Sequence, residues 1–184
     1  MRLTPLPINI TPDTFIISDT HFFHTAIMSF AKRPYHNVDE MNEAMIKKWN
    51  SVVSNDDVVL HLGDVSFGRV IPTIELIERL NGKKYLIRGN HDYNKHCQSY
   101  IRTGSFIDVF KGSQGFRHQD IIFSHKPIPT TILPSHCINI HGHTHNNSPS
   151  IYDHPEFKNF NIKKYINVSV EKLNYTPTRL KNLL

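Results

Sequence analysis

Apolar and polar positions along the chain fall into short runs whose spacing switches between two periods. Thr14-Phe15-Ile16-Ile17-Ser18 is a continuous β-branched and aromatic run, which predicts a buried strand. It leads straight into Asp19-Thr20-His21. From Val38 the apolar positions become Val38, Met41, Met45, Trp49 and Val52, a spacing of three or four that marks one face of a helix. Asn37 and Glu40 supply an N-cap and third-position pair at its start. Val58-Val59-Leu60-His61-Leu62 predicts a second buried strand that breaks at Gly63-Asp64. A second amphipathic helix is expected from Ile71 to Leu80, stopped by Asn81-Gly82. A third strand, Tyr85-Leu86-Ile87, ends in Arg88-Gly89-Asn90-His91-Asp92.

Strands alternating with helices imply an α/β fold with parallel strands, in which ligands collect beyond the carboxyl ends of the strands. The polar blocks sit at those ends. Further along, Phe106 to Phe110 and Asp120 to Ser124 flank the turn-rich segment Lys111-Gly112-Ser113-Gln114-Gly115, so a hairpin is expected there. Cys137-Ile138-Asn139-Ile140 and Tyr165 to Val170 read as two more strands, the first delivering His141-Gly142-His143-Thr144-His145. Residues 146 to 163, rich in Asn, Ser, Pro and aromatics, read as an exposed loop. Thr176-Pro177 is expected to open a short terminal helix, with Leu180, Leu183 and Leu184 available for docking.

Composition narrows the function classes. A chain of 184 residues, 39% apolar and 20% charged, fits a single globular domain over residues 1–184 with a packed core and argues against wholesale disorder. No apolar run approaches the roughly 20 residues of a membrane span, and Met1 to Pro7 lacks the apolar stretch of a signal peptide, so a cytoplasmic location is expected. Cys97 and Cys137 form no C-x-x-C pair, which leaves neither a disulfide framework nor a thiolate zinc site. The net charge of +5 favours anionic partners in general. Its lysines and arginines are scattered, however, so nucleic acid is possible as a partner but not indicated. The 13 histidines change the picture more, because many share short segments with Asp, Asn and Gly and so point to metal.

Five such segments each follow an apolar run: Asp19-x-His21, Gly63-Asp64, Gly89-Asn90-His91-Asp92, Ser124-His125 and Gly142-His143-x-His145. Singly, each is as expected of an exposed turn. As an ordered set they resemble the signature of the calcineurin-like metallophosphoesterase superfamily, and Asn167-Val168-Ser169-Val170 is similar to the ending of its small, single-domain bacterial and phage members. The resemblance implies a four-layer α/β/β/α sandwich with mixed sheets and flanking helices. It also implies that Asp19, His21 and His145 hold one metal, that Asn90, His125 and His143 hold another, and that Asp64 bridges the two. A shared carboxylate fits the physics, since two adjacent dications repel unless negative charge lies between them.

This mixture of imidazole, carboxylate and amide donors suits two divalent transition-metal ions, Mn²⁺ foremost with Fe, Zn or Ni as alternatives, more than Ca²⁺. The resemblance makes His91 the general acid toward the leaving oxygen. It gives Asp92 a choice between orienting His91 and bracing the loop. Among the remaining histidines, His24, His61, His118, His136, His141 and His154 read as structural or surface residues, with His24 and His141 to be examined as contacts beside the metal blocks. Arg33 and Arg88 are candidate phosphate grips.

The function this implies is hydrolysis of a phosphate ester, as a phosphodiesterase or phosphatase acting on a small nucleotide-like substrate. By the same resemblance, His21 points mildly toward diesters. A nuclease is one version, although larger DNA-processing members carry capping domains for which this chain has little room. A metal-free binding scaffold of the same fold is the alternative from another class, and the complete ligand set argues against it. The β-lactamase-like H-x-H-x-D-H run is absent, as is a G-x-S-x-G elbow for Ser/His/Asp catalysis.

Overall fold

The structure, a computed structural model, describes residues 3–112, 115–146, 154–158 and 160–184. Strands β1 (Thr4–Pro5), β2 (Phe15–Ile17), β3 (Val58–His61), β4 (Lys83–Ile87) and β5 (Asp108–Phe110) precede β6 (Phe116–His118), β7 (Ile121–Ser124), β8 (Ile138–His141), β9 (Tyr165–Asn167) and β10 (Thr178–Arg179). Helices α1 (Thr25–Phe30), α2 (Val38–Asn50), α3 (Val70–Glu78) and α4 (Asn94–Thr103) all lie between β2 and β5. The strands form two sheets, ordered β10-β2-β3-β4-β5 and β1-β6-β7-β8-β9. Pairing of β2 through β5 is parallel throughout, as the strand–helix alternation predicts, and β10 adds an antiparallel edge.

Side-chain alternation along each strand builds the layers. Phe15, Ile17, Val59 and Leu86 point to one face of the first sheet, where they pack with Met41, Met45 and Trp49 of α2, Leu76 and Ile77 of α3, and Tyr100 of α4. Ile16, Leu60, Ile87 and Phe110 point the other way, against Phe116, Phe123 and Ile140 of the second sheet. Over the far face of that sheet, Ile122 and Tyr165 are covered by Ile128, Leu133 and Phe157. This is the mixed-sheet sandwich with flanking helices; among the described residues its outer layer on the second sheet is built of 3₁₀ turns and loops rather than α-helices.

The start of α2 follows the sequence reading closely. The Glu40 amide donates to Asn37 Oδ1 (2.8 Å), and the Glu40 carboxylate accepts from the His36 amide (2.8 Å), so two orphan donors at the helix start are satisfied. Val52, the last position of the expected stripe, lies beyond the helix and is exposed.

Two expectations are corrected. Phe106 to Phe110 and Asp120 to Ser124 do not form a hairpin: β5 pairs with β4 in the first sheet and β7 with β6 and β8 in the second. The hairpin is β6–β7, turned at Gln119 with a left-handed φ of 53°. Gly112 and Gly115 mark the crossing between sheets instead. At the end of the chain, Thr178–Arg179 is a strand and Leu180–Asn182 a single 3₁₀ turn; no terminal α-helix forms. Edge pairing with β2 captures the extended backbone, while Leu180 still docks into the core between the sheets. Of the expected loop 146–163, the described part contains the turn Pro155–Phe157, whose Phe157 is buried; residues 147–153 and 159 lie outside the described set. No helix among the described residues is long and apolar enough to cross a membrane.

Candidate metal centre

The parallel ladder between β2 and β3 continues past the strands. Asp19 N donates to Gly63 O (2.9 Å), His21 N to Asp64 O (3.0 Å) and Phe22 N to Val65 O (3.0 Å). A bridge between Ser18 and Ser169, with Ser18 N donating to Val168 O (3.0 Å), joins this edge to the second sheet. The carboxyl ends of strands from both sheets therefore meet, and the five polar blocks converge there.

Backbone conformation at this junction is unusual. Asp19, His21, Asp64, His143 and His145 all have positive φ, between 47° and 69°, in a region that costs a non-glycine residue about 1–2 kcal/mol. Asp and His tolerate it better than most side chains, and the extended ladder holds it. The glycines have a different task. A Cβ on Gly89 would collide with the Asp64 carboxylate, and one on Gly142 with Ser18 and the Asp19 carboxylate, so both positions must be bare for the loops to close on those acids.

Two groups of ligand-type atoms result, Asp19–His21–His145 and Asp64–His125–His143, each drawn together to within 4.8 Å. In the first, His21 Nε2 and His145 Nε2 each lie 3.8 Å from Asp19 Oδ1. Asp64 Oδ2 stands between the groups, 3.6 Å from His21 Nε2 and 3.3 Å from His125 Nε2. Asn90 Oδ1 joins the second group at 2.9 Å from His125 Nε2. All seven residues singled out as ligands are thus brought together.

Surrounding contacts fix which atoms face the centre. Asp19 Oδ2 accepts from the His143 amide (2.8 Å) and the Ser169 hydroxyl (3.0 Å), whereas Asp19 Oδ1 is buried without a partner. His21 Nε2 is likewise buried and unsatisfied. Two orphaned polar atoms side by side are costly unless something polar or cationic sits between them, and a metal ion meets that need. His125 Nδ1 lies 2.8 Å from the Leu62 carbonyl, so it carries the proton that bonds that oxygen and turns Nε2 toward the centre. His145 Nδ1 lies 3.1 Å from Glu171 Oε1, the carboxylate–histidine pairing that orients a ligating imidazole.

Electrostatics agree with a site built for cations. Burial drives His21 well below its ordinary pKa and His143 down to about 4, so both are neutral donors. Burial alone raises Asp64, but the hydrogen bond and charge of His125, with His21, hold its carboxyl below the usual range. For His125 burial opposes charge, yet Asp64 and Asp19 prevail and push it up to about 9. A proton there stands where the carboxylates call for positive charge.

Several residues take positions other than those expected. Arg33 is buried and all its donors are spent inside: on Asp19 O (2.7 Å), Thr20 O (2.7 Å), Met41 Sδ (3.4 Å) and Glu171 (2.8 and 2.9 Å). It is a brace and not a phosphate grip. Asp92, expected to orient His91 or brace the loop, accepts from the amides of Asp64 (2.8 Å), Val65 (3.0 Å) and Gly89 (2.8 Å); the contacts are those of a brace. Arg88 bonds Asp92 O (2.6 Å) and Asn94 Oδ1 (2.7 Å).

His91 donates its amide to Asp64 Oδ1 (2.8 Å), and its ring packs 4.6 Å from Phe67. His24 stacks on the other side of Phe67 at 3.8 Å, with Nδ1 3.4 Å from His21 Nδ1. His141 is buried, its Nδ1 2.8 Å from Gly142 O. A further group, Asp120, His136 and Cys137, holds the Arg117 guanidinium 3.0 Å from His136 and 3.5 Å from Asp120, a cation already in place.

Sequence reasoning missed Glu171 and Phe67. Glu171 follows the apolar run ending at Val170, as the other polar blocks follow their strands. Phe67 gives no sequence signal beyond its nearness to Asp64.

The fold and this centre define the class: residues 14–173 match the family model described as calcineurin-like phosphoesterase, and the chain belongs to that family, a family of metal-dependent phosphoesterases. It is 38% identical to an uncharacterized protein of Methanocaldococcus jannaschii over 168 residues, covering 90% of this chain and 86% of that protein. It is 32% identical to the gene 66 protein of Mycobacterium phage L5, over 76% of this chain and 79% of the phage protein. A crystal structure of a protein of unknown function from Aquifex aeolicus is similar with a TM-score of 0.64 and 25% identity, covering 89% of this chain and 93% of that one.

Proposed function

We propose that the chain is a binuclear metal-dependent phosphoesterase acting on a small, nucleotide-like phosphate ester. The observation that carries this reading is the pair of orphaned atoms, Asp19 Oδ1 and His21 Nε2, beside a carboxylate shared between two ligand groups. Asp19, His21 and His145 would hold one ion, Asn90, His125 and His143 the other, with Asp64 common to both. Their donor chemistry suits Mn²⁺, with Fe, Zn or Ni as alternatives. Bound there, such ions supply Lewis acidity toward the phosphoryl oxygens and an activated water.

The chain's own residues do the rest. His91, anchored through its amide to Asp64 and through its ring to Phe67, delivers a proton to the leaving oxygen. Asp92 and Arg88 hold the loop that presents it. Glu171 and Arg33 keep His145 and Asp19 in place. Phe30, 63% exposed and edge-on to His145 at 6.0 Å, offers a ring face for a base, which supports a nucleotide-like substrate over a simple sugar phosphate. We place the protein in the cytoplasm, where the free, buried Cys97 and Cys137 stay reduced.

The test is incubation of the Mn²⁺-loaded protein with a panel of phosphomonoesters, cyclic nucleotides, dinucleotides, single-stranded DNA and bis(p-nitrophenyl) phosphate. Metal-dependent hydrolysis of small members of the panel is expected, read as phosphate from monoesters, nitrophenol from bis(p-nitrophenyl) phosphate and nucleoside monophosphate from cyclic nucleotides and dinucleotides. Stoichiometric metal without turnover of any of them would contradict the enzyme reading.

A further inference from the structure

Beside the second ligand group the surface opens into a cleft of about 390 Å³, with Asn90 and His125 in its wall and Arg88, Lys111 and Lys126 around it. No carboxylate among the described residues lines it. Among the described residues, neither the Lys111 nor the Lys126 ammonium has an ion-pair or hydrogen-bond partner. Arg88 is tethered by Asp92 and Asn94, so its positive charge is held at the cleft rather than swinging into solvent.

Uncompensated like charges facing one concavity repel one another unless an anion joins them. Placement next to Asn90 and His125 sets that anion adjacent to the phosphoryl group being cleaved.

We propose that this cleft is a subsite for a second phosphate of the substrate, so that the preferred substrate carries a phosphate on each side of a nucleoside or a short oligonucleotide link. The inference rests on the phosphoesterase reading and deepens it. Lys111 and Lys126 supply charge-assisted hydrogen bonds to the non-scissile phosphate. Arg88 contributes field from its fixed position. Selectivity then arises in binding, without altering the metal ligands or His91.

The test uses the full chain loaded with Mn²⁺ and a matched pair of nucleotides, thymidine 5′-monophosphate and thymidine 3′,5′-bisphosphate, titrated calorimetrically. The bisphosphate is expected to bind about tenfold more tightly, a gain typical of one added charge-assisted contact at a part-exposed site. In the Lys111→Ala/Lys126→Ala variant that advantage disappears, while the monophosphate Kd stays within about twofold and bis(p-nitrophenyl) phosphate is hydrolysed as before.

Equal affinities in the parent protein, or an equal loss for both nucleotides in the variant, would overturn the subsite. Absence of turnover of every ester in the panel by the parent protein would instead strike at the phosphoesterase reading, and the binding comparison would still decide the subsite. Thermal melts of parent and variant check folding, and both lysines are exposed.

Discussion

His21 Nε2 lies 3.6 Å from Asp64 Oδ2, although the two side chains come from different strand ends. That proximity links the two ligand groups, because the same oxygen is 3.3 Å from His125 Nε2. Asp64→Asn keeps the shape but removes the negative charge between two cations. Metal content by elemental analysis should fall from two ions per chain to one or none, and hydrolysis should fall by at least about 100-fold. Retention of both ions would show that Asp64 does not join them.

His91 makes a different prediction, since its ring packs beside His21 (5.7 Å) but belongs to neither ligand group. His91→Ala should keep the metal content while lowering kcat about 10²–10⁴-fold on an ester with a poor leaving group. On a nitrophenyl ester, whose leaving oxygen needs little protonation, the loss should be much smaller. Full rate on the poor leaving group would remove His91 from proton delivery.

Arg33 and Glu171 form a buried ion pair of 2.8 Å that also grips the backbone of Asp19 and Thr20. Arg33→Met leaves the buried Glu171 carboxylate facing His145 without its guanidinium, so a loss of about 3–5 kcal/mol in urea unfolding is expected. Adding Glu171→Gln should recover part of it. Metal affinity should fall roughly 10–100-fold in the double variant, where His145 loses the Glu171 carboxylate that orients it.

His61 provides a pH prediction. Its Nδ1 accepts from the Gly63 amide (3.1 Å), which leaves the proton on Nε2, 3.1 Å from the Thr20 hydroxyl; that hydroxyl donates in turn to Val65 O (2.9 Å). Burial pushes the ring down to about 3. Above pH ~6.5 the ring is neutral whether the chain is folded or unfolded, so it contributes no pH dependence. Below that the unfolded chain takes up a proton that the folded one refuses, and stability falls toward pH 3 by up to about 1.4 kcal/mol per pH unit. His61→Gln can keep both contacts without titrating. Urea unfolding of the metal-free proteins at pH 7, 6 and 5 should therefore give a shallower decline for the variant. Parallel declines would show that His61 is not held neutral.

The elements legible in the sequence are those with a local cause. The β2 and β3 runs, the α2 stripe and its Asn37 cap, and the parallel order were readable because period and capping are local signals. The seven candidate ligands were readable because each follows an apolar run and keeps a motif spacing. Partition of strands between the two sheets was not, since Phe106 to Phe110 and Ile121 to Ser124 look alike as β-runs and choose sheets through long-range pairing. Arg33 illustrates the same limit at the site. Nothing in Lys32-Arg33-Pro34 tells whether the guanidinium faces solvent or is turned inward onto Asp19 and Glu171.

The most direct test is anomalous scattering from crystals of the Mn²⁺-loaded protein. Two peaks are predicted, one among Asp19, His21 and His145 and one among Asn90, His125 and His143, both within bonding distance of the Asp64 carboxylate. A single peak remote from Asp64, or none at full occupancy of added metal, would contradict the binuclear centre.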